Sequence, residues 1–195
     1  MKRRTFDVLV SATGILLALV LVVAGSLLSW ANNFVGNEVH SQLSAQKIYF
    51  PPKDSPAIAG PQFADMRQYA GQQLTTGAQA KVYADSFIGV HLEEVADGQT
   101  YAQLSTKAQA NKDDVQLQGQ VATMFKGETL RGLLLNAYAF GTMGTIAGIA
   151  AIAAFIAAGL MALLGAFGFV HARRTEPEAE ILGAPHVKSP EPVTV

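Results

Sequence analysis

The chain has no cysteine, so it can build neither a disulfide framework nor a thiolate metal site or nucleophile. Charge is missing in two long blocks: no Asp, Glu, Lys, Arg or His occurs from Val8 to Trp30 or from Gly132 to Val170. There is no basic stripe and the net charge is −1, which excludes the electrostatic footprint of a nucleic-acid binder. G-x-S-x-G, H-E-x-x-H and P-loop patterns are absent, and with them three common routes to hydrolysis and nucleotide binding. No internal repeat is visible, and no alternating run is long enough to demand a sheet.

What is present is apolar and helical. The second block, Gly132 to Val170, is about 39 residues, whereas one bilayer crossing needs about 20 and tolerates up to about 25 with tilt. A soluble core helix is excluded by that length. The first block, Val8 to Trp30, has the length of one span and follows Lys2, Arg3 and Arg4. A cleavable signal peptide is its alternative, since "SWA" at 29–31 loosely fits a cleavage site, but the run exceeds the usual apolar region of about 7–15 residues.

Cations flank the first span on one side, and His171, Arg173 and Arg174 flank the last. The positive-inside rule therefore places both ends in the cytoplasm and makes the number of crossings even. Two short spans turning at "GTMG" lack any Pro, Asp or Lys to mark the turn. The second block reads instead as one long helix whose outward part, to about Thr142, bears Asn136, Tyr138 and Phe140 at the interface.

The expected architecture is an all-α membrane protein of the cell membrane, with a cytoplasmic segment 1–7 and a first span 8–30. An extracytoplasmic helical domain (31–131), a long helix containing the second span (132–170) and a disordered cytoplasmic tail (171–195) follow. Only about 25 residues follow the last span, too few for an output domain. In the domain, the first helix is expected to run on to about Gln46 and to stop at "YFPP". Pro61 opens a helix with Phe63, Met66, Ala70 and Leu74 on one face. The clearest stripe is Ala80, Tyr83, Ala84, Phe87, Ile88, His91, Leu92 and Val95, with Lys81, Asp85, Glu93 and Glu94 mostly opposite, stopped by Asp97-Gly98. Thr100 to Ala110 forms a short helix, Asp113 or Asp114 caps the next one, and Gly127 offers a bend in it.

Three constellations bear on function. In the second span Ala150, Ala154, Ala158, Ala162 and Ala166 recur every fourth residue, preceded by Gly144 and Gly148, while Ser11, Gly14, Ala18, Gly25 and Ser29 form a looser row in the first. Small residues let backbones approach in lipid. They serve either the packing of one span on the other or, because Ala147, Ala151, Ala153, Ala157 and Gly159 lie on further faces, a contact with a second copy or another membrane protein. Next, Tyr49, Phe50, Pro51 and Pro52 make a rigid apolar projection that docks a partner or else caps the domain's own core. Finally, His91 with Glu94, joined by His40 if the first outer helix packs beside it, is the sparse set from which a metal site could be drawn. A packing role for His91 is the simpler reading. No metal, cofactor or catalytic residue is expected, and the absence of ionisable residues in the spans argues against an ion pathway.

The segments "YFPPKDSPA", "MRQYAGQQL", "GAQAKVYADSFIGVHL", "TYAQLSTKAQA" and "FKGETLRGLLLNAYAF", in this order between two apolar runs, resemble a family of small two-span actinobacterial membrane proteins of uncharacterised function, often labelled aromatic ring-opening dioxygenase. The resemblance covers roughly Arg3 to Arg174. It implies the same two-span layout, and its label implies an oxygenase, with no catalytic residues to carry over. The leading expectation is a non-enzymatic accessory or interaction protein whose partners are the bilayer and itself or another membrane protein. A ligand- or lipid-binding, sensor-like module is the alternative, and a membrane-bound oxygenase the third reading.

Overall fold

The computed structural model describes residues 2–176, and the expected tail beyond them lies outside the described residues. Those described are mainly helical, without a strand, in the order α1 (Arg3–Ala45), a 3₁₀ turn (Pro56–Ile58), a 3₁₀ run (Pro61–Tyr69), α2 (Gly77–Val82), a π-helical turn (Tyr83–Gly89), α3 (Val90–Ala96), α4 (Tyr101–Ala110) and α5 (Val115–Arg174). α1, of 43 residues, and α5, of 60, are each long and apolar enough to cross a membrane. Contacts divide the chain into two units within the length of both helices: residues up to Ser29 with those from Ile149, and Trp30–Gly148.

In the first unit the buried positions are Ser11, Ala18 and Gly25 on α1 and Ala151, Ala158, Gly165 and Ala172 on α5. The step is seven on both helices. A seven-residue step keeps a seam between two helices, because it falls only about 20° short of two full turns. An every-fourth row overshoots one turn by about 40° at each step, so it wraps around the helix instead. Accordingly, of the alanines at 150, 154, 158, 162 and 166, only Ala158 is buried, and Ala166 is exposed.

The second unit holds the apolar core, built around Phe50, Ile58, Met66, Leu74, Leu104 and Leu134. α1 ends at Ala45, earlier than the prolines: Lys47 takes the left-handed conformation (φ 52°) and its amide donates to Ser44 O, so the turn is made before "YFPP" begins. The prolines instead border an extended stretch, in which Phe50 N donates to Gln72 O and Leu74 N to Ile48 O, both at 2.9 Å.

The expected helix over Phe63–Leu74 is a 3₁₀ run that stops at Tyr69. The reason is spacing: Phe63, Met66 and Tyr69 fall every third residue, the period at which 3₁₀ side chains eclipse. Arg67 fixes the preceding turn by donating from Nη1 to Ile58 O and Gly60 O, at 3.1 and 3.0 Å.

Thr76 and Gln79 form a capping box that starts α2, and Thr100 and Gln103 form one that starts α4. Asp97 and Gly98 stop α3 with positive φ, and Asp114 Oδ1 accepts from Leu117 N at the start of α5. α5 runs on as helix through Gly127, which gives Leu92 room to pack against the helix backbone. Between α2 and α3 the π-helical turn lets Ala80, Ala84, Ile88, Leu92 and Ala96 all face the core in steps of four. The wider i→i+5 turn absorbs the drift that such a row undergoes in a pure α-helix.

Candidate functional site

In the first unit a Cβ on Gly14 would lie 3.7 Å from Met161 O and 3.8 Å from Gly165 Cα, so backbone meets backbone there. Gly165 gives the same room to Ile15 and to Ser11 O, and Gly25 accommodates the ring of Phe155, 2.9 Å from where its Cβ would stand. Ala18 and Ala158 are buried in this seam, whereas Ala150, Ala154, Ala162 and Ser29 are half-buried beside it. Ala147 in the second unit and Ala157 in the first are likewise half-buried. Ala153, Gly159 and Ala166 remain exposed, and nothing lies within 4 Å of a Cβ built on Gly159. In the second unit Gly144 faces Val35 and the carbonyl of Asn32, and Gly148 faces the Asn32 side chain.

The aromatic–proline stretch divides. Phe50 is 2% exposed, its ring tilted by 43° against that of Tyr69 at 5.3 Å and edge-on to that of Tyr83 at 5.4 Å. It belongs to the core rather than to a docking surface, because the extended pairing with Gln72–Leu74 turns its side chain inward. Tyr49, the residue before it in the same extended stretch, points the opposite way and is 57% exposed; Pro51 is half-buried and Pro52 exposed.

His91 is exposed, yet its ring packs against two others. Its ring sits 4.5 Å from that of Phe87 and 5.9 Å from that of Phe63, and Nδ1 is 2.7 Å from Phe87 O. Glu94 is exposed, and His40 borders a separate groove lined by Thr75, Thr76, Tyr138, Thr142 and Thr145. Among the described residues no group of three His, Asp or Glu side chains is placed to hold a metal ion.

A charged cluster that sequence reasoning missed lies where the π-helical turn meets α5. Arg131 donates from Nη2 to Asp85 Oδ1 at 3.2 Å, and its Nη1 stands 3.5 Å from Glu128. Lys81 Nζ donates to Asp85 Oδ2 at 2.6 Å and lies 5.3 Å from the centre of the Tyr138 ring. A cleft of about 340 Å³ opens here, bordered also by Glu93, Gly98 and Thr100. Arg131 Nε is buried and unbonded beside Gly89, where a Cβ would come within 3.6 Å of it.

The hydrogen bond from Lys81, aided by that from Arg131, holds the Asp85 carboxyl below its ordinary range against the opposing effect of burial. The same bond, with the charge of Asp85, raises the Lys81 ammonium. The carboxylate therefore contributes stability above its ordinary pKa and loses it as pH falls through the lowered one. The ammonium contributes below its ordinary pKa and loses it as pH rises through the raised one, so the pair is intact across the whole interval between. Burial alone pushes the Tyr83 phenol up. The signal for this cluster was Arg131 itself, the last charge before the uncharged run, but its partner lies 46 residues earlier in sequence.

A second groove in the same unit runs between α1 and α5, lined by Phe34, Val35, Val39, Ala137 and Phe140. Neither a family model, a curated protein nor a solved structure matches the chain.

Proposed function

We propose that the protein is a two-span integral protein of the cell membrane, with both ends cytoplasmic and the domain within Trp30–Gly148 outside, serving as a non-enzymatic accessory or interaction protein. The membrane reading rests on what the first unit leaves uncovered. Leu9, Leu16, Leu19, Val23 and Leu27 on α1, and Ile149, Ile152, Ile156, Leu160, Leu163 and Phe167 on α5, are each more than half exposed. Soluble monomers rarely present contiguous apolar patches larger than a few hundred Å², whereas a bilayer requires them. The resemblance to a two-span family agrees with this layout.

The interaction role is carried by one observation: Ala153, Gly159 and Ala166 stay exposed amid large apolar side chains once α1 and α5 have paired in the first unit. A lipid-facing surface has no need of a glycine, which costs about 1 kcal/mol relative to alanine in a helix, whereas a close helix contact does. Purification from the native membrane in mild detergent should therefore recover the protein with a stoichiometric membrane partner, either a second copy or another protein. Gly159→Leu should still insert but should lower that recovery about tenfold, the effect of losing roughly 1.4 kcal/mol of packing. A lone monomer, with Gly159→Leu indistinguishable from wild type, contradicts the interaction role. The lipid-binding reading stands second, favoured by the apolar groove between α1 and α5.

A further inference from the structure

That groove has a composition of its own. Phe34, Val35 and Val39 of α1 and Ala137 and Phe140 of α5 form its walls, with the stems of Glu38 and Gln42 completing them around about 310 Å³. Glu38 is the only charged residue of α1 between Asp7 and Lys47, and α5 supplies none between Arg131 and His171. The groove is thus apolar within and bears a single carboxylate. One oxygen of that carboxylate accepts from Gln42 Nε2 at 2.8 Å, and the residue is exposed, so the group remains open to a ligand.

The groove is also continuous with apolar surface in the same unit. Trp30 and Phe34 stack at 5.5 Å and are 66% and 55% exposed, and Phe140, Met143 and Ile146 extend the α5 side with more than half of each uncovered. A volume of this size is that of a small-molecule pocket and falls short of what a docked helix face requires. An anionic headgroup would meet Glu38 as a like charge, whereas an ammonium would pair with it.

We propose that the groove between α1 and α5 holds an acyl chain of a membrane phospholipid whose headgroup carries an amine, the ammonium pairing with Glu38. The proposal rests on the membrane reading above and deepens its lipid-binding alternative. Trp30 is the only tryptophan of the chain and stacks on a groove residue, so its fluorescence reports what occupies this place.

The full chain is reconstituted in vesicles of equal parts phosphatidylethanolamine and phosphatidylglycerol, with brominated chains on one lipid or on the other. Brominated phosphatidylethanolamine should quench Trp30 about threefold more than brominated phosphatidylglycerol, the selectivity of one partly exposed ion pair. Glu38→Gln should bring the ratio to about one by removing the charge, and Ala137→Phe should do so by filling the groove. Equal quenching in the wild type overturns the headgroup assignment, and a preference that survives both substitutions overturns the groove. Protection from both lipids in a protein that runs as a dimer places a second copy in the groove and also overturns the proposal. Absence of quenching by either lipid in a monomer instead contradicts the membrane reading on which the proposal rests.

Discussion

Phe50→Ala should destabilise the domain by about 3–5 kcal/mol, the range for deleting a buried aromatic ring. The ring is 2% exposed and touches Tyr69 and Tyr83, which are themselves brought together only by the 3₁₀ run and the π-helical turn. Its removal leaves a void bounded by backbone that is hydrogen-bonded on both sides, from Phe50 N to Gln72 O and from Leu74 N to Ile48 O, so the site cannot collapse freely. At about 4–8 °C per kcal/mol for a domain of this size, melting followed by circular dichroism should shift down by at least about 12 °C. Tyr49→Ala, at a residue 57% exposed, should shift it by no more than a few degrees. Equal, small shifts for the two would return Phe50 to the surface.

Gly77→Val should cost about 3 kcal/mol by a different route, overpacking rather than a void. A Cβ at this position would stand 3.0 Å from Ala137 O, 3.1 Å from Tyr138 Cα and 3.5 Å from Gly141 Cα. All three are backbone atoms of α5, and a helix backbone cannot step aside as a side chain can. The two branches of valine would add to that clash. Gly132→Val is the matched control, since Gly132 is exposed and nothing lies within 4 Å of its Cβ position. Melting of the two variants side by side should separate them by about 10 °C or more, and coincident curves would mean that α2 does not press on α5 here.

Much of the fold was written locally. Both long helices, the capping residues Thr100 and Asp114, and the stop at Asp97-Gly98 follow from side chains acting within a turn of themselves. What escaped was periodicity that depends on which helix type carries it. The alanines at 150, 154, 158, 162 and 166 and the residues Ala80, Ala84, Ile88, Leu92 and Ala96 are both rows of four, yet only the second lies on one buried face. A π-helical turn holds that row together, and no such turn exists in α5, where the seam follows Ala151, Ala158, Gly165 and Ala172 instead. Seen as a step of seven, that seam was present in the sequence.

The charged cluster escaped for a tertiary reason. Asp85 sits on what looks like a solvated helix face until Arg131, 46 residues later, reaches it. The division of "YFPP" into a buried Phe50 and an exposed Tyr49 depended on an extended pairing with Gln72–Leu74, which no short-range pattern announces. The groove at Phe34 and Phe140 likewise exists only once α1 and α5 lie side by side in that unit.

The central claim, a two-span membrane protein with its domain outside, is tested most directly by labelling in intact cells. Because the chain has no cysteine, a single introduced thiol is the only site a membrane-impermeant maleimide can modify. Asp113→Cys, exposed just before α5, should label in intact cells, and Thr175→Cys, just after its last helical residue, should label only once the membrane is permeabilised. Labelling of Thr175→Cys with protection of Asp113→Cys would invert the topology, and equal labelling of both in intact cells, or recovery of the protein in the soluble fraction, would contradict the two-span account.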